Sequence, residues 1–570
     1  MAEPIQRIRA SLERIYGEKK GAAAFEKILR LIREAGAGAP PHEMPLSEKD
    51  VVLICYGDSL HRAQEKPLKT LQTFAETHLA DVFSTLHILP FFPYSSDDGF
   101  SITDYAAVRP DLGTWQDIQS IAASFKIMMD LVLNHVSAES DWFRRYLRGE
   151  KRFEHLALEA DPSNDLSRVV RPRAWPLLTE FRKDSGETVH LWTTFSADQI
   201  DLNFQDVNVL ALMVEILLLY VEKGAAIIRL DAIAYLWKEV GTSCIHLPQT
   251  HEMVKLFRAI LDAVSPGTLI ITETNVPHAE NISYFGTDFD EAQLVYNFTL
   301  PPLLLHAFVA EDASYLTQWA QEISRFPYAH AFFNFSASHD GIGVRPLEGI
   351  LPLSAVDLLA AQVRRCGGKV SYKKNSDGSE SPYELNITYV DALAAKGFSG
   401  DATHAGRFLA SQSIPLVFPG IPAAYIHSLL GSRNWVEGVK KTGRARSINR
   451  ESLDADAVLR QLMEPGSFRA QIFNATLDMI QKRRRQRAFH PKAAFEVMEL
   501  GAKIFAVVRS RDDQRIYAIT NVSSQPVSVD VRGWDLPQKL PDLISGSFYE
   551  TRPLRLAPYQ YVWLCRKAAV

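Results

Sequence analysis

The run from Gly224 to Ala232, Gly-Ala-Ala-Ile-Ile-Arg-Leu-Asp-Ala, sets the tightest limit on the fold: an apolar stretch of strand length, opened by glycine and closed by two opposite charges. Four to eight apolar residues bounded in this way read as a strand covered on both faces, the texture of a parallel sheet. Arg229 and Asp231 stand two apart and therefore share one side of that strand. They are either a buried structural ion pair or a carboxylate presented at the carboxyl end of a barrel strand, where such folds keep their chemistry.

The same texture recurs. Val51 to Cys55, Val82 to Leu89, Ile127 to Val132, Ala225 to Leu230, Leu269 to Thr272, Ala292 to Tyr296, Ala331 to Phe335 and Ile414 to Phe418 are eight candidate buried strands, most separated by helix-like stretches. Eight such units predict an α/β fold, a (β/α)8 TIM barrel. Ahead of it, apolar residues at helical spacing from Ile5 to Ile32 predict two amphipathic helices within residues 1–46, followed by a Gly, Ala and Pro-rich linker from Gly36 to Pro45. Two long excursions interrupt the barrel, which is expected over 47–137 and 206–490: an inserted subdomain at 138–205 and a second insertion at 345–400. Beyond 490 the pattern alternates, as in Lys503 to Val508, and predicts a C-terminal antiparallel β domain over 491–570.

At 570 residues the chain has room for a large core and a smaller companion. A net charge of -5 gives no global attraction for nucleic acid or an anionic membrane, so an anionic substrate must be met by a local basic cluster. Cys55, Cys244, Cys366 and Cys565 lack metal-ligand spacing and read as reduced thiols. The amino terminus has no apolar core of signal-peptide length and no segment reaches 18 uninterrupted apolar residues, so a cytoplasmic location is expected.

If the barrel holds, polar residues at its strand ends converge on one pocket. Strand two leads into the aromatic and acidic loop Pro90 to Phe100, strand three ends in Asn134-His135, strand four in Arg229 and Asp231, strand five in Glu273, and strand seven leads to His339-Asp340. Three carboxylates from three strands, Asp231, Glu273 and Asp340, flanked by two histidines, suit glycosyl transfer through an oxocarbenium-like transition state. One attacks the anomeric carbon, another donates a proton to the leaving oxygen, and a third orients sugar hydroxyls. A metal site is the weaker reading, because no His-x-x-x-His or His-x-His pair occurs, and no Gly-x-Ser-x-Gly elbow supports a nucleophilic serine.

These runs resemble the four signature regions of the α-amylase superfamily, in order and at fitting intervals: Asp130 to His135, Arg229 to Ala232, Glu273, and Ser338 to Asp340. The resemblance implies Asp231 as nucleophile, Glu273 as general acid and base, and Asp340 as transition-state stabiliser. Arg229 then orients Asp231, while His135 and His339 hydrogen-bond the sugar. Within the superfamily, His87 to Phe92, Asp98 to Phe100, Gly241 to Cys244, His339 to Gly343 and Ser447 to Arg450 look like the sucrose phosphorylase group. That likeness implies a charge pair of Asp97 and Arg446 gripping the distal glucosyl hydroxyls, Phe100 as an apolar platform, and Phe195, Gln199 and Tyr235 lining the pocket and acceptor side.

A phosphorylase binds an anion beside a glucosyl enzyme and keeps water out. Arginine suits that task because its planar fork donates in pairs. The resemblance assigns phosphate to Arg173, in the loop with Arg171, and to Tyr383, whereas Glu384 stands where sucrose phosphorylases tend to carry a neutral amide. Arg168 to Ala174, Ile245 to Leu247, Thr272 to His278 and Asn375 to Glu384 look most like the glucosylglycerate phosphorylases of this group. The implied acceptor, D-glycerate, needs a cation for its carboxylate, with Lys373, Lys374, Arg171 and Arg173 as candidates. Glu380 and Glu384 argue for a neutral acceptor such as glycerol. The expected substrates are thus a small α-glucoside and inorganic phosphate, with no nucleic acid, no membrane, no cofactor and no metal, in a monomer or homodimer. A sucrose or glucosylglycerol phosphorylase, a hydrolase or transglucosidase, and a binding protein on a barrel without catalysis are the competing expectations.

Overall fold

A computed structural model describes residues 2–36, 46–172, 176–326, 331–374, 379–395, 402–531, 533–534 and 536–567. Eight parallel strands close into a barrel: β1 (Val52–Cys55), β2 (Thr85–Ile88), β3 (Lys126–Val132), β4 (Ala225–Asp231), β5 (Leu269–Thr272), β6 (Leu294–Tyr296), β7 (Ala331–Asn334) and β8 (Ile421–Tyr425), with β8 hydrogen-bonded back to β1. Their side chains are almost wholly buried, as strands covered on both faces require. Register places the chemistry. Asp130 on β3 lies opposite Arg229 on β4, and Leu230 lies opposite Thr272 on β5, which brings Glu273 level with Asp231.

Seven of the eight expected strands form where the apolar runs placed them, with ends that differ by at most three residues. The eighth does not. Ile414 to Phe418, expected as a strand, is the buried tail of the helix Ala402–Ser413, and the strand is Ile421–Tyr425. The tail has side-chain partners for its carbonyls in place of a ladder: Arg483 donates to Leu416 O at 2.8 Å and Arg509 to Val417 O at 2.9 Å. Between tail and strand the chain turns at Gly420, whose φ of +116° and whose missing Cβ, which would lie 2.0 Å from Phe332 O, make glycine obligatory there.

Helices α1 (Ala2–Tyr16) and α2 (Glu18–Ala35) precede the barrel and bury Ile8, Leu12 and Ile28 completely. Arg7 to Asp262 at 2.8 Å and Arg14 to Glu252 at 2.9 Å tie α1 to the helix Pro248–Val264. Most of the expected linker, residues 37–45, lies outside the described residues.

After β3 the chain leaves the barrel through an antiparallel pair, His135–Ser137 with Gln199–Asp201, which encloses the helix Asp141–Leu147 and a hairpin of Leu178–Arg182 and Thr188–Trp192. After β7 it builds a three-stranded antiparallel sheet from Ile342–Gly343, Glu380–Asn386 and Lys369–Lys374, with the helix Leu353–Arg365 between the first and last of these in sequence. Both excursions start at the carboxyl ends of barrel strands and so stand over the mouth of the barrel.

The C-terminal unit is a four-stranded antiparallel sheet, β9 (Ala494–Val497), β10 (Ile504–Arg511), β11 (Gln514–Asn521) and β12 (Tyr561–Lys567), with its own apolar layer around Ile504, Val508, Tyr517 and Ile519. All four cysteines are free. No helix among the described residues is long and apolar enough to cross a membrane.

Candidate active site

Arg229 is the hub from which the site is built. Its guanidinium is 2% exposed and lies 5.6 Å from the ring centroids of both Phe100 and Tyr296, surroundings that suit a planar, weakly hydrated cation. One nitrogen donates to Asp231 Oδ1 at 2.6 Å and also to Asp130, which is itself bonded to His87 Nε2 at 2.7 Å. The buried pair foreseen from the strand pattern is therefore a shared cation with two carboxylates, and the ordering group behind it, Asp130, comes from the neighbouring strand.

Glu273, one residue past the end of β5, accepts a hydrogen bond through Oε2 from the backbone N–H of Ala232 at 3.1 Å. Ala232 follows Asp231 directly, so the two carboxylates flank the same point at the barrel mouth. Ala232 takes a left-handed φ of 51°, a conformation that costs energy for a residue with a Cβ and that concentrates at functional sites. Burial raises the pKa of Asp231 and of Glu273 above the usual carboxylate range. Glu273 pushes Asp231 further up, and Asp340 does the same to Glu273, while Arg229 opposes both. The direct hydrogen bond from Arg229 falls on Asp231 and favours negative charge there.

Asp340 behaves oppositely. Burial would raise it, but Arg446, His339, Arg450 and Arg229 together hold it well below the usual range. Arg446 reaches it at 2.6 Å and holds Glu384 with two further bonds of 2.9 and 2.6 Å. His339 stacks on Phe100 at 5.0 Å with the rings 7° from parallel, and burial drops its pKa to about 3, so it is a neutral hydrogen-bonding group. Burial likewise lowers His135, whose Nε2 is 2.8 Å from Phe100 O.

These groups face a cavity of about 620 Å³, large enough for a disaccharide-sized ligand. Of the residues singled out from the sequence, Asp97, Phe100, His135, Phe195, Gln199, Arg229, Asp231, Tyr235, Glu273, His339, Asp340, Tyr383, Glu384 and Arg446 all line it. Asp97 receives the Gln199 amide at 3.3 Å and is felt by Arg446 through its field, whereas Arg446 makes its short ion pairs with Asp340 and Glu384. Phe195 meets Tyr235 edge to face at 5.5 Å.

The basic loops divide differently. Arg171 is solvent-exposed and its buried neighbour Pro172 takes the cavity wall instead. Arg173 lies outside the described residues, as do the side chain of Lys374 and the segment 375–378. Lys373, a candidate for the acceptor carboxylate, is paired with Glu348 at 2.9 Å and is not on the cavity wall.

Sequence reasoning overlooked the group that braces this wall. Arg450 donates to Asp98 at 2.6 Å and to His339 O at 2.7 Å, and Arg444 reaches the other oxygen of Asp98 at 3.0 Å. Asp97 and Asp98 are both left-handed, with φ of 54° and 50°, and this bracing holds the second of them. Asn275 was also passed over. Its side chain packs on Gly343, where a Cβ would meet it at 2.4 Å, and its Oδ1 is buried without a hydrogen-bond partner among the described residues. The three arginines 444, 446 and 450 in one loop were the available signal. No group of His, Cys, Asp and Glu among the described residues is arranged to hold a metal ion.

Residues 82–340 match the alpha amylase catalytic domain. The glucosylglycerate phosphorylase of Spirochaeta thermophila is 50% identical over 530 residues, which cover 91% of this chain and 90% of that protein. The glucosylglycerate phosphorylase of Escherichia coli is 43% identical, covering 98% of this chain and all of its own. Among solved structures, sucrose 6F-phosphate phosphorylase from Thermoanaerobacter thermosaccharolyticum superposes with a TM-score of 0.73 at 26% identity, over 87% of this chain and 97% of that one. With the closed barrel, the carboxylates at its strand ends and relatives this similar along nearly the whole length, the chain belongs to the alpha-amylase family, alongside the glucosylglycerate phosphorylases.

Proposed function

We propose that this enzyme is a retaining glucoside phosphorylase that converts 2-O-α-glucosyl-D-glycerate and inorganic phosphate reversibly into α-D-glucose 1-phosphate and D-glycerate. The observation that carries this reading is the identity of 50% with a glucosylglycerate phosphorylase over 91% of the chain. The geometry supplies a mechanism that fits it.

Asp231, held ionised by Arg229, attacks the anomeric carbon while Glu273 gives its proton to the departing glycerate oxygen. A covalent glucosyl enzyme forms with inversion. Phosphate then attacks the same carbon, Glu273 takes up the phosphate proton, and the second inversion restores the original configuration. Asp340, ionised and fixed by Arg446, accepts hydrogen bonds from sugar hydroxyls that tighten as the ring flattens. Asp97, Phe100, His135, Gln199 and His339 complete the glucose pocket, with Phe195 and Tyr235 toward the acceptor. Tyr383, on the cavity wall, faces the phosphate, and the resemblance adds Arg173, whose planar fork would match that anion. No step needs a cofactor.

Glu384 argues for a neutral acceptor on charge alone. Its two hydrogen bonds from Arg446 neutralise it, so it no longer opposes a carboxylate in the cavity. Four free thiols and the use of phosphate fit a reducing, cytoplasmic setting. Supplying glucosylglycerate, glucosylglycerol and sucrose, each with and without phosphate, tests the reading. Glucose 1-phosphate is expected only with phosphate, and fastest from glucosylglycerate. Equal sugar release without phosphate makes the enzyme a hydrolase; a preference for sucrose or glucosylglycerol reassigns the acceptor.

A further inference from the structure

We infer that Ser371 reads the acid of the acceptor, giving its hydroxyl proton to the acceptor carboxylate, with Asn386 as the positioning residue behind it. The inference rests on the phosphorylase reading above and names the side chain that favours the acid over its neutral analogue.

The cavity itself repels an acid. Asp97, Asp231, Glu273, Asp340 and Glu384 all line it, and the arginines on its wall are already engaged. Arg229 serves Asp130 and Asp231, Arg446 serves Asp340 and Glu384, and Arg444 and Arg450 share Asp98. Lys373 is held by Glu348 off the wall. An anionic acceptor is therefore left to neutral donors, and the inserted sheet presents one.

The strands Lys369–Lys374 and Glu380–Asn386 run antiparallel, with Ser371 opposite Glu384 and Tyr372 opposite Pro382. Tyr383 is the extra residue of a bulge between these pairs, so Tyr383 and Glu384 both stand against Ser371. Adjacent side chains that a regular strand would send to opposite faces thus both reach the cavity. Directly paired residues of an antiparallel sheet point the same way, and Ser371 lines the cavity beside Glu384. Asn386, two residues beyond Glu384 on its strand, shares that face.

The hydrogen bond behind Ser371 fixes a direction. Asn386 is 1% exposed, and its Nδ2 donates to Ser371 Oγ at 3.1 Å. Among the described residues it is the one hydrogen-bond partner of the Ser371 side chain. Asn386 Oδ1 is buried with no hydrogen-bond partner among the described residues. Turning the amide over would bury idle N–H donors in place of that oxygen, and orphaned N–H groups are the rarer of the two in folded proteins. With one lone pair of Oγ taken by the amide, the hydroxyl proton is free for a partner in the cavity. A carboxylate accepts and cannot donate, which matches this arrangement; a hydroxymethyl group in the same place gains a weaker, uncharged hydrogen bond.

Phosphate is an anion of the same chemistry, and the test separates the two. Wild type, Ser371→Ala, Ser371→Thr and Asn386→Leu are compared in glucosyl transfer from glucose 1-phosphate to D-glycerate and to glycerol, with arsenolysis of glucose 1-phosphate as a third arm. Ser371→Ala is expected to lower the glycerate to glycerol ratio of kcat/KM by about tenfold, through KM for glycerate, because a hydrogen bond to a charged group contributes more than one to a neutral group. Ser371→Thr, which keeps the hydroxyl and suits a strand, restores most of the ratio. Asn386→Leu, of similar size but without a donor, lowers the ratio in the wild-type background and leaves it unchanged in the Ser371→Ala background, as a residue acting through the serine requires. An equal loss in both backgrounds removes the positioning role, and a loss that Ser371→Thr shares in full makes the serine a packing residue; either overturns the inference. Arsenolysis that falls while the ratio holds assigns the serine to phosphate and overturns it as well. A wild type that prefers glycerol overturns the acceptor assignment and the inference together; a wild type that prefers glycerate, with both acceptors falling in proportion in Ser371→Ala, overturns the inference alone.

Discussion

The Arg446 guanidinium grips the Glu384 carboxylate with two bonds, Nε to Oε1 at 2.9 Å and Nη2 to Oε2 at 2.6 Å, and gives its remaining arm to Asp340 at 2.6 Å. Glu384 also accepts the Gly341 N–H at 3.2 Å. Glu384→Gln keeps the shape but removes the charge and half of the fork. Stability is expected to fall by about 1–3 kcal/mol, the range for leaving a buried polar group badly paired, read as a lower midpoint in urea. Because Arg446 then leans wholly on Asp340, kcat should fall with it; unchanged kcat and midpoint would show that the fork is dispensable.

If Glu273 is the general acid proposed above, it should govern the alkaline side of the pH profile. Burial raises the Asp231 and Glu273 pair, and the second proton to leave comes off above the ordinary carboxylate range. The active form holds one proton, so kcat/KM rises as the first is lost and declines as the second is lost. Asp340, held low by Arg446 against burial, stays ionised throughout and adds no limb. Glu273→Gln should reduce the rate by about 10²- to 10⁴-fold and erase the alkaline limb. With α-glucosyl fluoride, whose leaving group needs no proton, the loss should shrink.

Arg229 is the cation that Asp130 and Asp231 share. Arg229→Ala leaves Asp130, which is fully buried, with His87 in place of a full cation, and should cost about 3–5 kcal/mol in denaturant unfolding. Arg229→Lys retains a charge but loses the planar guanidinium that meets Phe100 and Tyr296, and should recover more stability than activity. In either variant the acid limb moves to higher pH, because the group that keeps Asp231 ionised is weakened.

Gly420 guards the closure of the barrel. A Cβ there would sit 2.0 Å from Phe332 O in a backbone with φ of +116°. Gly420→Ala should yield little folded protein at 37 °C, as judged by circular dichroism and solubility, whereas Gly406→Ala, in open space, should fold like the wild type.

What could be read from the chain follows the range of the interactions involved. Strand runs such as Ile227 to Leu230 declare themselves locally, through burial on both faces, and the charged residues at their ends announced the three carboxylates. Ile414 to Phe418 misled because buried apolar residues look alike whether their carbonyls meet a strand or, as here, the side chains of Arg483 and Arg509. The true strand carries Pro422, a residue that weakens any local strand signal. The bracing of Asp98 by Arg450 joins residues 352 apart, and the Glu384 to Arg446 fork forms only after the inserted sheet has folded. No local pattern encodes such meetings.

Donor and acceptor parts of this cavity hang from different supports. The groups around the glucosyl carbon are rooted in barrel strands, while Tyr383 and Glu384 belong to the sheet of Ile342–Gly343, Lys369–Lys374 and Glu380–Asn386. The Glu384 to Arg446 fork latches one support to the other. In a protein-engineering sense the sheet is a cartridge: under the proposed roles, exchanging residues 342–386 for those of a related enzyme should change the acceptor and leave Asp231 in place, on condition that the incoming segment brings its own partner for Arg446.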